Sequence, residues 1–262
     1  NIFNLIKQLT QKVKDPKCIR GISISSMAEV GIPINKEGNW LYPAITWFDK
    51  RTEPQMNWWS KNYNINELYK ITGLNLNYIY SINKIMWLKK NEPDIFKKIF
   101  KWLCIPDYLA FKLTGEMKMD YSIASRTMAF DISKKMWSGK LCNKAGIDLN
   151  IFPDTVQSGT LIGKVTSYAS KQTGLAIGTP VSAGGHDHVC GAYAVGVVDE
   201  GKILDSMGTA ETIFISLDNL SSLNKFNASS FSTGCHVYPD KFYLLGGIYS
   251  SGATINWIKK EF

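Results

Sequence analysis

One stretch constrains this chain more than any other: Pro180-Val181-Ser182-Ala183-Gly184-Gly185-His186-Asp187-His188-Val189-Cys190-Gly191. A short apolar run, residues 181–183, ends in two glycines, and an apolar segment of helical character follows over residues 189–198. Strand, glycine turn and helix is how an α/β fold brings a polar side chain to the carboxyl end of a sheet, where ligands bind. Here that side chain is Asp187. A helix N-terminus favours negative charge, so the carboxylate is placed to accept a proton. An isolated Asp at such a point also reads as a helix N-cap. The rest of the chain has to decide between the two.

The flanking segments suit such a fold. Phe3, Leu5, Ile6, Leu9 and Val13 have helical spacing, and Asp15-Pro16 ends that helix. Residues 19–25 alternate as a strand does and deliver the cluster Ser25-Ser26-Met27-Ala28-Glu29. Residues 30–34 continue extended, 36–39 form a turn, and 41–47 predict another short strand ending at Trp47. To about residue 150 the pattern is mostly helical. It covers 65–71 with a stop at Thr72-Gly73, then 83–90, 93–98, 106–113 with a stop at Thr114-Gly115, and a helix around 137–145. Residues 163–178 read as a connector with one helix. Beyond the central stretch, strands are predicted at 202–206, 212–217 and 242–248, with a helix from Gly252 onward. This change of character places a domain boundary near Val198 and divides the chain into residues 1–198 and 199–262.

Composition removes several function classes. At 262 residues the chain has room for one large domain or two smaller ones, and a hydrophobic content of 45% is that of a soluble globular protein. No apolar run is long enough to span a bilayer and no signal-peptide pattern opens the chain, so no membrane partner is expected. The five cysteines are scattered without a Cys-x-x-Cys pair, which fits a reduced, cytoplasmic chain. The net charge of +8 resides in short lysine groups such as Lys89-Lys90 and Lys134-Lys135. These read as solvated helix faces, not as a continuous nucleic-acid stripe.

Two further features carry chemistry. Gly208-Thr209 sits between two strand-like runs. A glycine there lets backbone N–H groups approach an anion and the threonine adds a hydroxyl, although most such pairs are ordinary hairpin turns. The three histidines, His186, His188 and His236, lie close in sequence to Cys190 and Cys235, which leaves open a metal-binding hydrolase.

Taken in order, the chain resembles the FGGY family of carbohydrate kinases, which includes xylulokinase, gluconokinase and glycerol kinase. Trp47-Phe48-Asp49-Lys50-Arg51-Thr52 resembles the family's Trp-x-Asp-x-Arg segment. Pro106-Asp107-Tyr108-Leu109, Leu113-Thr114-Gly115-Glu116 and Asp120-Tyr121-Ser122 with Ala124-Ser125-Arg126-Thr127 are similar to the blocks that follow it. Gly184-Gly185-His186-Asp187-His188 matches the catalytic Gly-x-x-Asp segment, and Asp205-Ser206-Met207-Gly208-Thr209-Ala210-Glu211 the phosphate hairpin. Gly246-Gly247 through Trp257 resembles the segment after it.

The resemblance implies an α/β, actin-like ATPase (ribonuclease H-like) fold in two domains, with a sugar or polyol in the cleft and ATP across it. Residues 1–198 would be the sugar-binding domain and 199–262 the start of the ATP-binding domain. Asp187 would be the general base, and Gly208 and Thr209 would hold phosphate oxygens bridged by Mg²⁺. Glu29 matches a substrate-binding carboxylate of glycerol kinase, Trp47 an aromatic wall, and His188 a polar residue beside the base. The alternatives are a solvated loop for Glu29 and plain core packing for Trp47. Ala28 stands where glycerol kinase has an arginine, and the xylulokinase Met-His pair is absent around Ala28 and Glu29, so neither substrate is implied. The family's first strands would precede Asn1 and its adenosine-binding half would follow Phe262, so the expectation is a kinase incomplete at both ends. A non-catalytic sugar-binding module is the other reading such a chain allows. Oligomeric state stays open, a homodimer included.

Overall fold

Amphipathic spacing, caps and a few close backbone approaches build the elements that position the site. In the computed structural model, which describes residues 2–208, 211–221, 231–248 and 251–262, the first helix is α1 (Ile2–Thr10). Asp15 does not end that helix; its carboxylate accepts the N–H of Lys17 at 2.9 Å and caps a separate 3₁₀ turn, Pro16–Cys18. β1 (Ile22–Ser26) and β2 (Gly31–Ile34) follow. The strand predicted over 41–47 does not form. Only a single bridge, Ile34 to Trp40, extends β2 on that side, because Pro43 has no N–H to donate to a ladder.

A largely helical section succeeds it: α2 (Glu53–Asn62), α3 (Ile65–Thr72), α4 (Ser81–Asn91) and α5 (Pro93–Phe96). Asn64 caps α3 by accepting the N–H groups of Asn66 and Glu67, and Gly73 closes it at φ +69°. Then come β3 (Lys101–Cys104), which pairs with β2, α6 (Ile105–Thr114), β4 (Lys118–Asp120) and α7 (Tyr121–Ala124). β5 (Phe130–Asp131) and β6 (Met136–Trp137) form a small hairpin, so Trp137 belongs to a strand and α8 (Gly139–Ala145) starts only after it. β7 (Asp154–Val156), β8 (Leu161–Lys164) and α9 (Ser167–Thr173) lead to the central strand β9 (Pro180–His186) and to α10 (Asp187–Ala194).

β9 is the middle of a three-stranded sheet, parallel to β1 and antiparallel to β8. α6 packs across all three strands. Ala110 and Leu113 from α6 meet Val181 and Ala183 from β9, and Ala169 from α9 completes this core. A second, helical core gathers Trp59, Leu68, Ile82, Ile85, Leu88 and Trp102.

The remaining strands are β10 (Ile203–Met207), β11 (Glu211–Leu217), β12 (Ser232–Cys235) and β13 (Phe242–Ile248), followed by α11 (Gly252–Glu261). They form one antiparallel sheet in the order β10-β11-β13-β12, one strand more than the periodicity shows. The added strand, β12, is short and Gly-containing, and it docks on the helical part of the chain. The N–H of Thr233 donates to the Gly73 carbonyl at 2.6 Å, and that of Cys235 to Ser125 Oγ at 3.0 Å. Phe214 and Tyr243 of the sheet share a core with Val189 and Ala192 of α10.

Candidate active site

The end of β9 is fixed with unusual firmness. Residues 23 and 25 of β1 pair with residues 182 and 185 of β9, so β9 carries one residue more than its partner there, a bulge. A Cβ on Gly184 would lie 2.0 Å from the carbonyl oxygen of Ile24. The strand therefore runs on through both glycines to His186 instead of stopping at them. Past the bulge, the N–H of His186 donates to Ser122 Oγ at 2.9 Å, and the Ser122 hydroxyl donates to Asp120 Oδ1 at 2.5 Å. Asp120 also caps α7 by accepting the N–H groups of Ser122 and Ile123. Burial pushes its pKa up to about 6, against the pull of those hydrogen bonds.

Asp187 is thereby delivered as the first residue of α10, with its side chain 49% exposed. The N-cap position is occupied by His186, and Asp187 Oδ1 accepts the N–H of His188 at 2.7 Å. His186 itself is buried. Its Nε2 lies 3.6 Å from Asp187 Oδ1, while its Nδ1 has no partner among the described residues. Burial pushes its pKa down to about 4, only partly offset by the charge of Glu29, so the ring is neutral near pH 7. The exposed ring of His188 stacks on it with centroids 5.6 Å apart.

Glu29, just beyond β1, is not a solvated loop residue. It is 7% exposed, and Arg126 Nε lies 2.6 Å from its Oε1. Burial works to raise the Glu29 carboxyl, but Arg126 outweighs it and holds the group below its ordinary value. The Arg126 guanidinium lies over the Tyr80 ring at 5.4 Å. Trp47 is not core either. It is half-exposed on a turn, edge-on to Phe48 with centroids 5.4 Å apart. Glu29 and the segment leading to Trp47 are joined by Lys84, whose Nζ donates to the carbonyls of Glu29 and Ile45. Two charged residues of the Trp47 segment, Asp49 and Arg51, pair with each other at 2.8 Å.

Gly208 follows β10 and is exposed, and its carbonyl accepts the N–H of Gly252 at the start of α11. Thr209 lies outside the described residues. The histidines do not converge on a metal. His236 accepts the N–H of Tyr238 at Nδ1 and faces the Val197 carbonyl with Nε2 at 3.2 Å, so both ring nitrogens are engaged. Among the described residues no group of three His, Cys, Asp or Glu side chains could hold an ion.

Residues 1–194 match the model of the N-terminal domain of the FGGY family of carbohydrate kinases. The chain belongs to the FGGY family. It is 32% identical over 243 residues to a xylulose kinase of Staphylococcus xylosus, covering 92% of this chain and 50% of that protein. It is 28% identical over 246 residues to an L-fuculokinase of Escherichia coli, covering 93% of this chain and 51% of that protein. Among solved structures, Plasmodium falciparum glycerol kinase with ADP superimposes with a TM-score of 0.88 at 26% identity, over 99% of this chain and 53% of that one. Xylulose kinase from Rhodospirillum rubrum does so at 0.90 and 23% identity, over 97% and 51%, a likeness of fold. The fold is the actin-like ATPase arrangement of these kinases, and this chain spans about half the length of the relatives it matches.

Within this FGGY chain, the structure brings Asp187, His188, Glu29 and His186 into one region. Asp187 offers an exposed acceptor at the start of α10, Glu29 and Arg126 form a neutralised buried pair, and His186, 3.6 Å from Asp187, is an uncharged ring that feels the Glu29 charge. Arg126, Lys84, Ser122 and Asp120 went unassigned in the sequence. For Asp120, Ser122 and Arg126 a signal existed, since all three sit in the Asp120–Thr127 block that resembles the family. Lys84 has none, because a lysine on an amphipathic helix ordinarily faces solvent.

Proposed function

We propose that the protein transfers the γ-phosphoryl group of ATP to a hydroxyl of a sugar or polyol, with Asp187 as general base. The observation that carries this reading is the exposed Asp187 carboxylate at the bulged, hydrogen-bonded end of β9. In the reaction the hydroxyl proton passes to Asp187 as its oxygen bonds to the γ-phosphorus. The bond from phosphorus to the bridging oxygen of ADP breaks, and Asp187 then returns the proton to solvent. Little covalent help is needed, so positioning and charge neutralisation supply most of the barrier lowering.

Glu29 accepts hydrogen bonds from sugar hydroxyls, Trp47 covers a C–H face of the ring, and His188 lines the same side. Phosphate oxygens lie against the Gly208–Thr209 turn. The exposed Gly208 backbone and the adjoining N-terminus of α11 suit an anion there. Mg²⁺ bound with ATP would supply charge neutralisation at the phosphates. Residues 1–198 form the sugar-binding domain and 199–262 open the ATP-binding domain. We place the protein in the cytoplasm, in keeping with five cysteines that are all unpaired; among the described residues no helix is long and apolar enough to cross a membrane.

The test is sugar-dependent ADP formation by the full-length protein across a panel of pentuloses, hexoses, aldonates and polyols. With the best substrate, Asp187→Asn is expected to lower kcat by roughly 10²–10⁴ while sugar binding is retained. Turnover within a few-fold of wild type would return Asp187 to a structural role at the start of α10.

A further inference from the structure

The first turn of α4 holds several of the segments that build the site, although it places no side chain beside Asp187. Its centre is Lys84, which is fully buried. A buried ammonium ordinarily pairs with a carboxylate, yet among the described residues none stands within ion-pairing distance of Lys84. Instead its Nζ donates to two backbone carbonyls, that of Glu29 and, at 3.0 Å, that of Ile45. The first belongs to the proposed sugar-binding carboxylate and the second lies two residues before Trp47. These segments are not joined by any strand pairing, so the ammonium takes the place of a ladder between them.

The helix carrying Lys84 is itself anchored. Ile82 and Ile85 lie in the helical core, and the N–H of Ile82 donates to the Thr127 carbonyl at 3.0 Å, next to Arg126. Tyr80, at the N-cap of α4, lies under the Arg126 guanidinium. One helical turn thus sets the main chain at Glu29, before Trp47 and after Arg126. Burial pushes the Lys84 pKa down to about 8, with the carboxylate charges of Glu29 and Asp49 opposing that shift.

We propose that Lys84 is a positioning residue for sugar binding, setting the distance between the Glu29 segment and the Trp47 segment through their carbonyls. The inference rests on the kinase reading above. It distinguishes Lys84 from a residue that merely stabilises the fold, because a general loss of order would weaken both substrates alike.

The test uses the full-length protein with Lys84→Met, which keeps an unbranched stem as far as Cε and removes the ammonium donors. The sugar KM is expected to rise at least roughly tenfold, with the ATP KM within about twofold. Amide hydrogen exchange is expected to quicken at residues 28–30 and 44–48 together, while residues 85–90 of α4 keep wild-type protection. Equal shifts in both KM values, or unchanged exchange at both segments, would overturn the proposal. If the Met variant does not fold, Lys84→Gln, whose neutral amide on a shorter stem weakens both tethers without abolishing donation, is expected to show the same KM split and exchange pattern at smaller size, and unchanged values there would overturn the proposal. Exchange needs no turnover. A wild-type protein without sugar-dependent ADP formation therefore sinks the kinase reading, and faster or unchanged exchange still supports or overturns the tether.

Discussion

At the scale of single residues, the Glu29–Arg126 pair couples two charges that neither could keep alone. Both side chains are under a tenth exposed and 2.6 Å apart. Removing one partner strands the other as a buried charge, which costs about 3–5 kcal/mol, whereas replacing both by apolar groups is often near neutral. Arg126→Met is therefore expected to destabilise the chain more than the double change Glu29→Met with Arg126→Met does, as urea denaturation would reveal. A double variant no better than the single one would mean that the pair is not the dominant interaction there. His236 makes a second residue-scale case. Burial pushes its pKa down from 6.5 to about 4, against its hydrogen bond to the Val197 carbonyl. Between those values the unfolded chain binds the extra proton, so this residue's contribution to stability falls as pH drops from 6.5 toward 4. His236→Phe is expected to be less stable than wild type at pH 7.5, with the gap narrowing by about 1–3 kcal/mol at pH 4.5. A gap that stays constant across this range would show that the ring does not titrate as its burial implies.

At the scale of elements, two glycines of the same strand–helix unit have opposite meanings. Gly184 sits where β9 bulges against β1, and a methyl group there would meet the Ile24 carbonyl. Gly191 lies within α10 with nothing within 4 Å of a Cβ. Gly184→Ala is expected to cost about 1–3 kcal/mol, the usual range for overpacking. Gly191→Ala is expected to stabilise by up to about 1 kcal/mol, since Ala is the better helix former. Denaturation of the 262-residue chain measures both, and equal effects would remove the argument that close approach, not flexibility, sets residue 184.

At the scale of the whole molecule, the sheet of β10 to β13 is topologically separate from the sheet of β9 yet shares its packing. Val189, Ala192 and Val197 meet Phe214 and Tyr243, and Cys235 of β12 joins the core around Phe130 and Ile132. Gln157 donates to the Val237 carbonyl at 2.9 Å across the same seam. A chain ended at Val198 would expose these apolar groups. It is expected to bind more of a hydrophobic dye and to unfold at lower urea than residues 1–262. Equal midpoints would make residues 1–198 an independent folding unit with a superficially docked neighbour.

What the sequence determined by itself was local. The helix predicted over 65–71 with its stop at Thr72-Gly73, the stop at Gly115, and the strand–helix junction that presents Asp187 all rest on backbone rules within a few residues. The order of its motifs also carried the family. The tertiary structure decided the rest. Residues 41–47 look like a strand, but Pro43 breaks the ladder and β2 takes its full partner from β3. β12 is too short to show a period and exists because Gly73 and Ser125 supply partners for it. Glu29 finds its counter-ion 97 residues away, and Lys84 finds its acceptors on two other segments. A lone carboxylate and a lone lysine look alike on the surface and in the core until the fold brings their partners to them, because the burial that makes them consequential is a property of three-dimensional packing and not of neighbours in the chain.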